Sequence, residues 1–179
     1  MLAAAAPDPA SFGGGSMNNA FVLVAAGLVC AFAGPDYAKL LEKAKLTLSE
    51  AVEKGTKEVP GGSVVTAYME ENGGKPRFYL YVAKDHKTME ISLDLSDGSV
   101  TEKETLQDDD SKIVGAVKIK LGKAIDIALQ KVPGKAVYAD FDVDEKGPPE
   151  AEVDVFAGGK VTRVYLHAVT GEVLKTDPP

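Results

Sequence analysis

The chain has 179 residues, enough for one domain or two small ones, and its 45% hydrophobic and 26% charged residues are ordinary for a folded globular protein. Its net charge of −7 and isoelectric point near 4.9, with no local basic cluster, argue against DNA, RNA or an anionic membrane surface as a partner.

Residues 1–33 are predicted to be a leader rather than part of a domain. The first 16 are rich in alanine, glycine and proline and nearly uncharged, which indicates disorder. A second methionine, Met17, precedes an apolar run over 20–33 that is too short for a comfortable transmembrane span. This run ends in Ala31-Phe32-Ala33, the small-x-small pattern of a signal-peptide cleavage site. We therefore expect an exported mature chain, periplasmic or extracellular, without a membrane span.

Alternatives to export concern the same segment. Because no lysine or arginine precedes the apolar run, the positive charge of a signal peptide would have to come from the α-amino group of a chain started at Met17. A buried N-terminal helix is the structural alternative. Cys30 raises the possibility of a lipoprotein, but Val29 is larger than the residue that normally precedes a lipidated cysteine, so lipidation is disfavoured. Cys30 is the only cysteine, so removal of the leader would leave no thiol, disulfide or thiolate metal site.

Two helices are predicted at the start of the mature chain. The first follows from apolar residues at helical spacing, Tyr37, Leu40, Leu41 and Ala44. Thr47-Leu48-Ser49-Glu50 has the form of a capping box and starts a second helix, which Pro60 and the glycines after it terminate. Gly55 inside that helix costs about 1 kcal/mol relative to alanine. We therefore expect the helix to approach a sheet closely at this residue.

Alternating apolar and polar residues predict strands over 63–71, 77–83, 88–95 and 99–104. In the second of these, Phe78, Leu80 and Val82 face one way, and Tyr79 and Tyr81 face the other. One apolar and one polar face are typical of an antiparallel sheet covered on one side. The helix is expected to supply that cover.

The acidic segment 107–111 is interpreted as a solvated joint between two halves. Its adjacent carboxylates lack the alternating spacing of a calcium-binding loop. Beyond it, residues 112–120 lead into a helix over 121–132, followed by strands over 135–143, 150–156 and 161–168 and a short strand near 173.

The second half repeats the first. Residues of the predicted helices match at a constant separation of 73 positions, as in Leu48 and Leu121 or Pro60 and Pro133, and the same separation relates Leu93 to Leu166. We expect this register to hold without a gap. The predicted organisation is a leader over 1–33, a first repeat over 34–106, a linker over 107–119 and a second repeat over 120–179.

Each copy resembles the PepSY domain, which has a helix ending in Val-Pro-Gly and then a meander of strands ending in a pattern like Asp-x-x-Thr-Gly-x-Val. The second copy carries the resemblance over 124–135 and 164–174, and the first over 51–62 and 94–100. Two departures put a shared role for those side chains in doubt. The aspartate of the pattern is Asp94 in the first copy but His167 in the second, and the threonine is replaced by Asp97 in the first copy.

The resemblance implies an α+β fold of two tandem repeats, each an α-helix packed on an antiparallel three- to four-stranded β-sheet. It also implies a non-catalytic module, since such domains in peptidase propeptides inhibit the enzyme or assist its folding. No peptidase follows the repeats here, so we expect a separate secreted peptidase or envelope protein as the partner. A small-ligand carrier or sensor and a structural envelope protein are the alternative functions.

No catalytic, cofactor or metal site is predicted. His86 lies in a predicted turn and His167 at a strand end, and no nucleophile elbow or phosphate loop is present. Tyr79 and Tyr81 are the candidate partner-binding surface, with packing beneath the other repeat as the alternative. A free sheet edge would also allow a partner to add a strand.

Overall fold

The computed structural model describes residues 35–143 and 147–178, so the leader predicted over 1–33 lies outside the described residues. The helices are α1 (Tyr37–Lys43), α2 (Leu48–Glu58), α3 (Ser111–Ala116) and α4 (Leu121–Lys131). The strands of the first half are β1 (Ser63–Asn72), β2 (Lys75–Lys84), β3 (Lys87–Asp94) and β4 (Val100–Thr105). Those of the second half are β5 (Lys135–Asp142), β6 (Glu150–Ala157), β7 (Lys160–His167) and β8 (Val173–Asp177).

The predicted capping box begins α2. The Thr47 amide donates to Glu50 Oε2 at 2.7 Å, and the Glu50 amide donates to Thr47 Oγ1 at 3.2 Å. These two bonds satisfy backbone groups that a helix N-terminus would otherwise leave unpaired. The N-cap residue of α4, Lys120, forms no capping hydrogen bond with its side chain. Each helix buries one stripe of small and aliphatic residues, which are Leu48, Ala51, Val52 and Gly55 in α2 and Leu121, Ala124, Ile125 and Ala128 in α4.

All eight strands form one antiparallel sheet in the order β4-β3-β2-β1-β5-β6-β7-β8. Each repeat contributes four strands, and the two sets join in the middle through β1 and β5. The paired residues there are Thr66 with Asp140, Ala67 with Ala139, and Tyr68 with Tyr138. The predicted α+β fold of two repeats is confirmed, with the addition that the two sheets are continuous.

Helices α2 and α4 lie on the same face of the sheet and contact each other, with Ser49 Oγ 3.4 Å from Asp126 Oδ1. Beneath them is one hydrophobic cluster that draws on both repeats. It includes Phe78 and Leu80 from the first repeat and Ile125 and Val153 from the second, all fully buried. The two repeats therefore share a single core.

The expectation of a gapless register of 73 is wrong for the first strand of each repeat. Val64 pairs with Val82 and Ala136 pairs with Val155, so Val64 and Ala136 are equivalent although they are 72 positions apart. The first repeat has one more residue than the second between its helix and its first strand, in the turn where Gly61 adopts a φ of +83°. The second repeat has one more residue in the connection between β5 and β6, and this restores the separation of 73. A slip within the strand would turn its apolar side chains to the wrong face, so both adjustments occur in turns.

The predicted linker over 107–119 contains α3, which is the counterpart of α1. The Lys45 amide donates to the Leu95 carbonyl and the Lys118 amide to the Ala168 carbonyl, both at 3.0 Å, and these pairs are 73 positions apart. Asp110 also accepts a 2.9 Å hydrogen bond from the hydroxyl of the buried Thr88. This part of the chain therefore packs against the ends of the strands instead of being fully solvated.

Candidate functional site

The sheet surface opposite α2 and α4 carries four tyrosines near its centre, and we call it the tyrosine face. These residues are Tyr68 on β1, Tyr79 and Tyr81 on β2, and Tyr138 on β5. They alternate along their strands with residues of the shared core, such as Leu80 beneath α2. The pairing of Tyr68 with Tyr79 on one side and with Tyr138 on the other places tyrosines of both repeats side by side.

Tyr68 is the centre of this cluster. Its ring is stacked on Tyr79, with centroids 5.2 Å apart and planes at 16°, and meets Tyr81 edge-on at 6.2 Å. The Tyr138 ring is 6.5 Å away. Tyr79 is only 8% exposed, whereas Tyr68, Tyr81 and Tyr138 are partly exposed.

The structure therefore brings together the two tyrosines singled out in the sequence and adds two that the sequence analysis missed. Tyr68 had a local signal, because it alternates with Ala67 and Met69 in a predicted strand. Tyr138 had no such signal, because its place next to Tyr68 depends on the pairing of β1 with β5.

Burial raises the pKa of Tyr68 and of Tyr138 above the ordinary value for a phenol. Both hydroxyls are thus neutral at physiological pH and can act as hydrogen-bond donors. The Tyr138 hydroxyl donates to Asp140 Oδ2 at 3.2 Å, and Asp140 Oδ1 accepts a 2.7 Å bond from the Thr66 hydroxyl across the repeat junction. Burial raises the pKa of Asp140 despite these two bonds.

In the second repeat, a charged network lies beside the tyrosines. Arg163 Nε and Nη2 donate to the two carboxylate oxygens of Asp154 at 2.6 and 2.8 Å, and Nη1 donates to Glu152 at 2.9 Å. The Arg163 guanidinium carbon is also 5.7 Å from the centre of the Tyr138 ring. The hydrogen bonds to Asp154 raise the pKa of Arg163, so this cation is permanently charged.

In the first repeat, the same surface carries carboxylates with fewer cations. Glu90 on β3 is paired with Tyr81 on one side and with Glu104 of β4 on the other. Burial raises the pKa of Glu90, and the neighbouring Glu104 and Glu102 raise it further. Arg77 is engaged with Glu102 at 3.1 Å. Neither Glu90 nor Glu104 forms an ion pair with any residue in the described ranges.

A cleft of about 310 Å³ lies at the other side of the molecule, where the α1–α2 connection approaches α4 and the start of β5. Most of its lining is aliphatic, including Leu41, Leu46, Met69, Ile125 and Leu129. The exposed Lys45 and Lys135 also contribute to the lining. The cleft therefore combines a mainly aliphatic lining with two exposed lysines.

The two outer strands are β4 and β8. All six residues of β4 are exposed, but the strand presents charges, and Lys103 is paired with Glu58 at 2.7 Å. Charged edge strands resist the addition of a further strand. The edges are therefore weaker candidates for partner binding than the tyrosine face.

The two histidines have different hydrogen-bond partners. His86 Nδ1 lies 3.2 Å from Asp109 Oδ2 and 3.1 Å from Ser111 Oγ, while His167 Nδ1 accepts from the Val169 amide at 3.1 Å. Over residues 35–143 and 147–178, no group of three or more histidine, cysteine, aspartate or glutamate residues is arranged to hold a metal ion. None of the helices in these ranges has both the length and the apolar character needed to cross a membrane.

Comparison with known families finds that the model of the peptidase propeptide and YPEB domain matches the chain twice, over residues 45–104 and 118–177. No curated protein matches the chain. Among solved structures, a Clostridium difficile 630 protein described as a lipoprotein is similar with a TM-score of 0.46 and 15% identity, covering 78% of this chain and 97% of that one.

Two Bacillus structures are also similar. The YpmB protein from Bacillus subtilis has a TM-score of 0.33 and 16% identity over 73% of this chain and 96% of that chain. The Bacillus megaterium YpeB C-terminal domain has a TM-score of 0.31 and 15% identity over 76% of this chain and 66% of that chain.

Proposed function

Because this chain belongs to the PepSY family of peptidase propeptide and YPEB domains, we propose that it is an exported, non-catalytic binding module that restrains or regulates a secreted or envelope peptidase, or a related envelope protein. The family supports a binding role, since propeptide domains act by contact with an enzyme and not by chemistry of their own. Export is supported by the signal-peptide pattern over 20–33.

The observation that carries the proposal is the continuity of the sheet across both repeats. One sheet with a shared core on one side presents its other side as a preformed surface, which costs little conformational entropy when a partner binds. The centre of that surface is a tyrosine cluster with an adjacent arginine network. Tyrosine and arginine are enriched among residues that dominate protein–protein binding energy. Tyr81, Tyr68 and Tyr138 form the proposed partner-binding surface, and Tyr79, which is only 8% exposed, supports it by stacking on Tyr68.

A pull-down followed by an inhibition assay tests the proposal. The immobilised protein would be exposed to the secreted and envelope extract of its source organism at low and high salt, and retained proteins would be identified by mass spectrometry. We expect a peptidase to be retained and its activity to fall when the free protein is added. Tyr81→Ala should reduce retention, while Lys57→Ala on the exposed side of α2 should not. Retention of neither a peptidase nor an envelope protein by any of the three proteins would contradict the proposal.

The cleft of about 310 Å³ favours a second candidate function, that of a carrier or sensor for a small amphiphile. Its aliphatic lining would hold a short apolar chain, and Lys45 and Lys135 would attract an anionic head group. Native mass spectrometry of the purified protein checks this candidate directly. A mass adduct that is lost in Ala44→Trp, which places a large side chain in the lining of the cleft, would favour the carrier over the peptidase regulator.

A further inference from the structure

We propose that the tyrosine face of the first repeat binds an arginine side chain from a basic segment of the partner protein, with the guanidinium over the rings of Tyr68 and Tyr81 and paired with Glu90. This inference rests on the proposed function, because it specifies the chemistry of the partner at the surface already described.

The protein contains its own example of this arrangement. In the second repeat, the Arg163 guanidinium lies 5.7 Å from the centre of the Tyr138 ring while it binds two carboxylates, Asp154 and Glu152. Lys175 repeats the combination further out, with its ammonium 3.9 Å from the centre of the Tyr165 ring and 3.5 Å from Asp177. On this face, cations lie on tyrosine rings and are held by adjacent carboxylates.

The same surface of the first repeat has tyrosine rings and a carboxylate, at exchanged positions, and its one arginine, Arg77, is paired with Glu102 and not with Glu90. Asp154 and Arg163 are cross-strand partners in the second repeat, and Tyr81 and Glu90 occupy the corresponding pair 73 positions earlier. Glu90 therefore stands where the second repeat has its arginine. A guanidinium that reaches Glu90 from outside would meet the edge-on rings of Tyr68 and Tyr81, which are both partly exposed.

Charge on the surrounding surface favours a cation and disfavours an anion. Glu104 lies directly opposite Glu90 on the neighbouring strand, and neither carboxylate forms an ion pair within the described ranges. The nearby cation Arg77 is paired with Glu102 instead. The whole chain has a net charge of −7, so long-range attraction also favours a basic partner segment. Arginine suits the site better than lysine because its planar guanidinium can stack on an aromatic ring and bind a carboxylate at the same time.

Binding of a fluorescein-labelled tetra-arginine peptide, followed by fluorescence anisotropy with the full chain, tests the site. Glu90→Arg would supply the missing cation from within the chain, as Arg163 does in the second repeat, and should weaken peptide binding about tenfold. Glu53→Arg on the exposed side of α2 makes the same charge change away from the site. It should weaken binding less than about twofold, and equal weakening by the two variants would show general electrostatic attraction and overturn the proposal.

A variant without a charge change provides the second arm of the test. Tyr68→Leu keeps an apolar side chain but removes the aromatic ring, so the tetra-arginine peptide should bind more weakly although the net charge is unchanged. A tetra-lysine peptide should bind the original protein more weakly than tetra-arginine. Should thermal unfolding show that Glu90→Arg does not fold, Glu90→Gln takes its place, with a smaller loss of binding expected. Unchanged binding in Tyr68→Leu and in the folded Glu90 variant would refute the site.

The pull-down separates failure of this inference from failure of the proposed function. If the original protein and Glu90→Arg retain the same peptidase equally, the proposed function stands and the arginine site is wrong. If tetra-arginine binds with the expected dependence on Glu90 but neither a peptidase nor an envelope protein is retained, the site stands and the proposed function is wrong.

Discussion

At the scale of single residues, Gly55 shows how the two repeats solve one packing problem in different ways. A Cβ atom at Gly55 would lie 2.5 Å from Cδ1 of Leu80, which is fully buried. The equivalent positions of the second repeat are Ala128 and Val153, so a larger helix residue is matched with a smaller strand residue. The close approach of helix and sheet expected from a mid-helix glycine is confirmed.

We predict that Gly55→Ala destabilises the protein, because overpacking costs about 1–3 kcal/mol and the gain in helix propensity is only about 1 kcal/mol. Leu80→Val in the same chain should restore the lost stability by recreating the pair found in the second repeat. Chemical denaturation of the two single variants and the double variant measures the coupling between the sites. Additive effects of the two substitutions would contradict the proposed contact.

Asp140, at the repeat junction, is expected to make the stability of the fold depend on pH. Burial raises its pKa above the value in the unfolded chain, so the fold disfavours its ionised form. The resulting loss of stability is fully present when the pH is above the pKa of Asp140 in the folded protein. It disappears when the pH is below the pKa of Asp140 in the unfolded chain. Asp140→Asn should therefore stabilise the protein at pH 8 and have little effect near pH 3.

Thermal unfolding across this pH range measures the difference between Asp140→Asn and the original protein. Asp108→Asn is the matched control, because Asp108 is exposed and is not among the charges that raise the pKa of Asp140. A stabilisation by Asp140→Asn that is the same at all pH values would show that it does not arise from the ionisation of Asp140.

At the scale of the secondary-structure elements, α2 and α4 differ chiefly in their N-terminal caps. Thr47 and Lys120 occupy the cap positions with similar backbone angles, φ −77° and ψ 162° for Thr47 and φ −79° and ψ 151° for Lys120. Only Thr47 provides a side-chain acceptor. The backbone of α4 is therefore already arranged for a cap that its sequence does not supply.

Lys120→Thr should stabilise the protein by about 1 kcal/mol, and Thr47→Ala should destabilise it by a similar amount, since a capping side chain has about that effect. Urea denaturation gives both free energies of unfolding. Lys131→Thr removes the same charge from the last turn of α4 without creating a cap, and it should not stabilise. Equal gains from Lys120→Thr and Lys131→Thr would attribute the effect to net charge.

At the scale of the whole molecule, the shared core predicts that the two repeats unfold together. A charge introduced into α4 should destabilise both halves of the sheet, because the hydrophobic cluster beneath α4 continues beneath α2. Ile125→Asp should therefore abolish protection against hydrogen exchange in β2 and β3 as well as in β6 and β7. Hydrogen exchange measured by mass spectrometry resolves these strands, and lasting protection of β2 and β3 would indicate two independent domains.

The position of the charge also matters for this test. Val132 follows the end of α4 and is only partly buried, whereas its counterpart Val59 is 5% exposed. Val132→Asp should consequently destabilise the protein less than Val59→Asp, although the sequence places the two valines at equivalent positions. The same hydrogen-exchange measurement compares them.

Local patterns were sufficient to predict most of the elements. Three such patterns depend only on neighbouring residues: the capping box at Thr47 to Glu50, the alternation in β2 and the duplicated Val-Pro-Gly segment. The sequence by itself therefore determined the helices α2 and α4, most strands and the polarity of each face. It also determined the family resemblance. The short helix α3 was missed, because six residues without a side-chain cap or a buried residue have too little periodicity to detect.

Only the tertiary structure decided how the repeats meet and what that meeting creates. The pairing of β1 with β5 makes one sheet from two and places Tyr138 beside Tyr68, Tyr79 and Tyr81. It also sets the register in which Ala67 faces Ala139, which the constant separation of 73 does not predict. The physical reason is that cross-strand neighbours are brought together by the packing of two distant segments over a shared core, and no local periodicity records which segments those are.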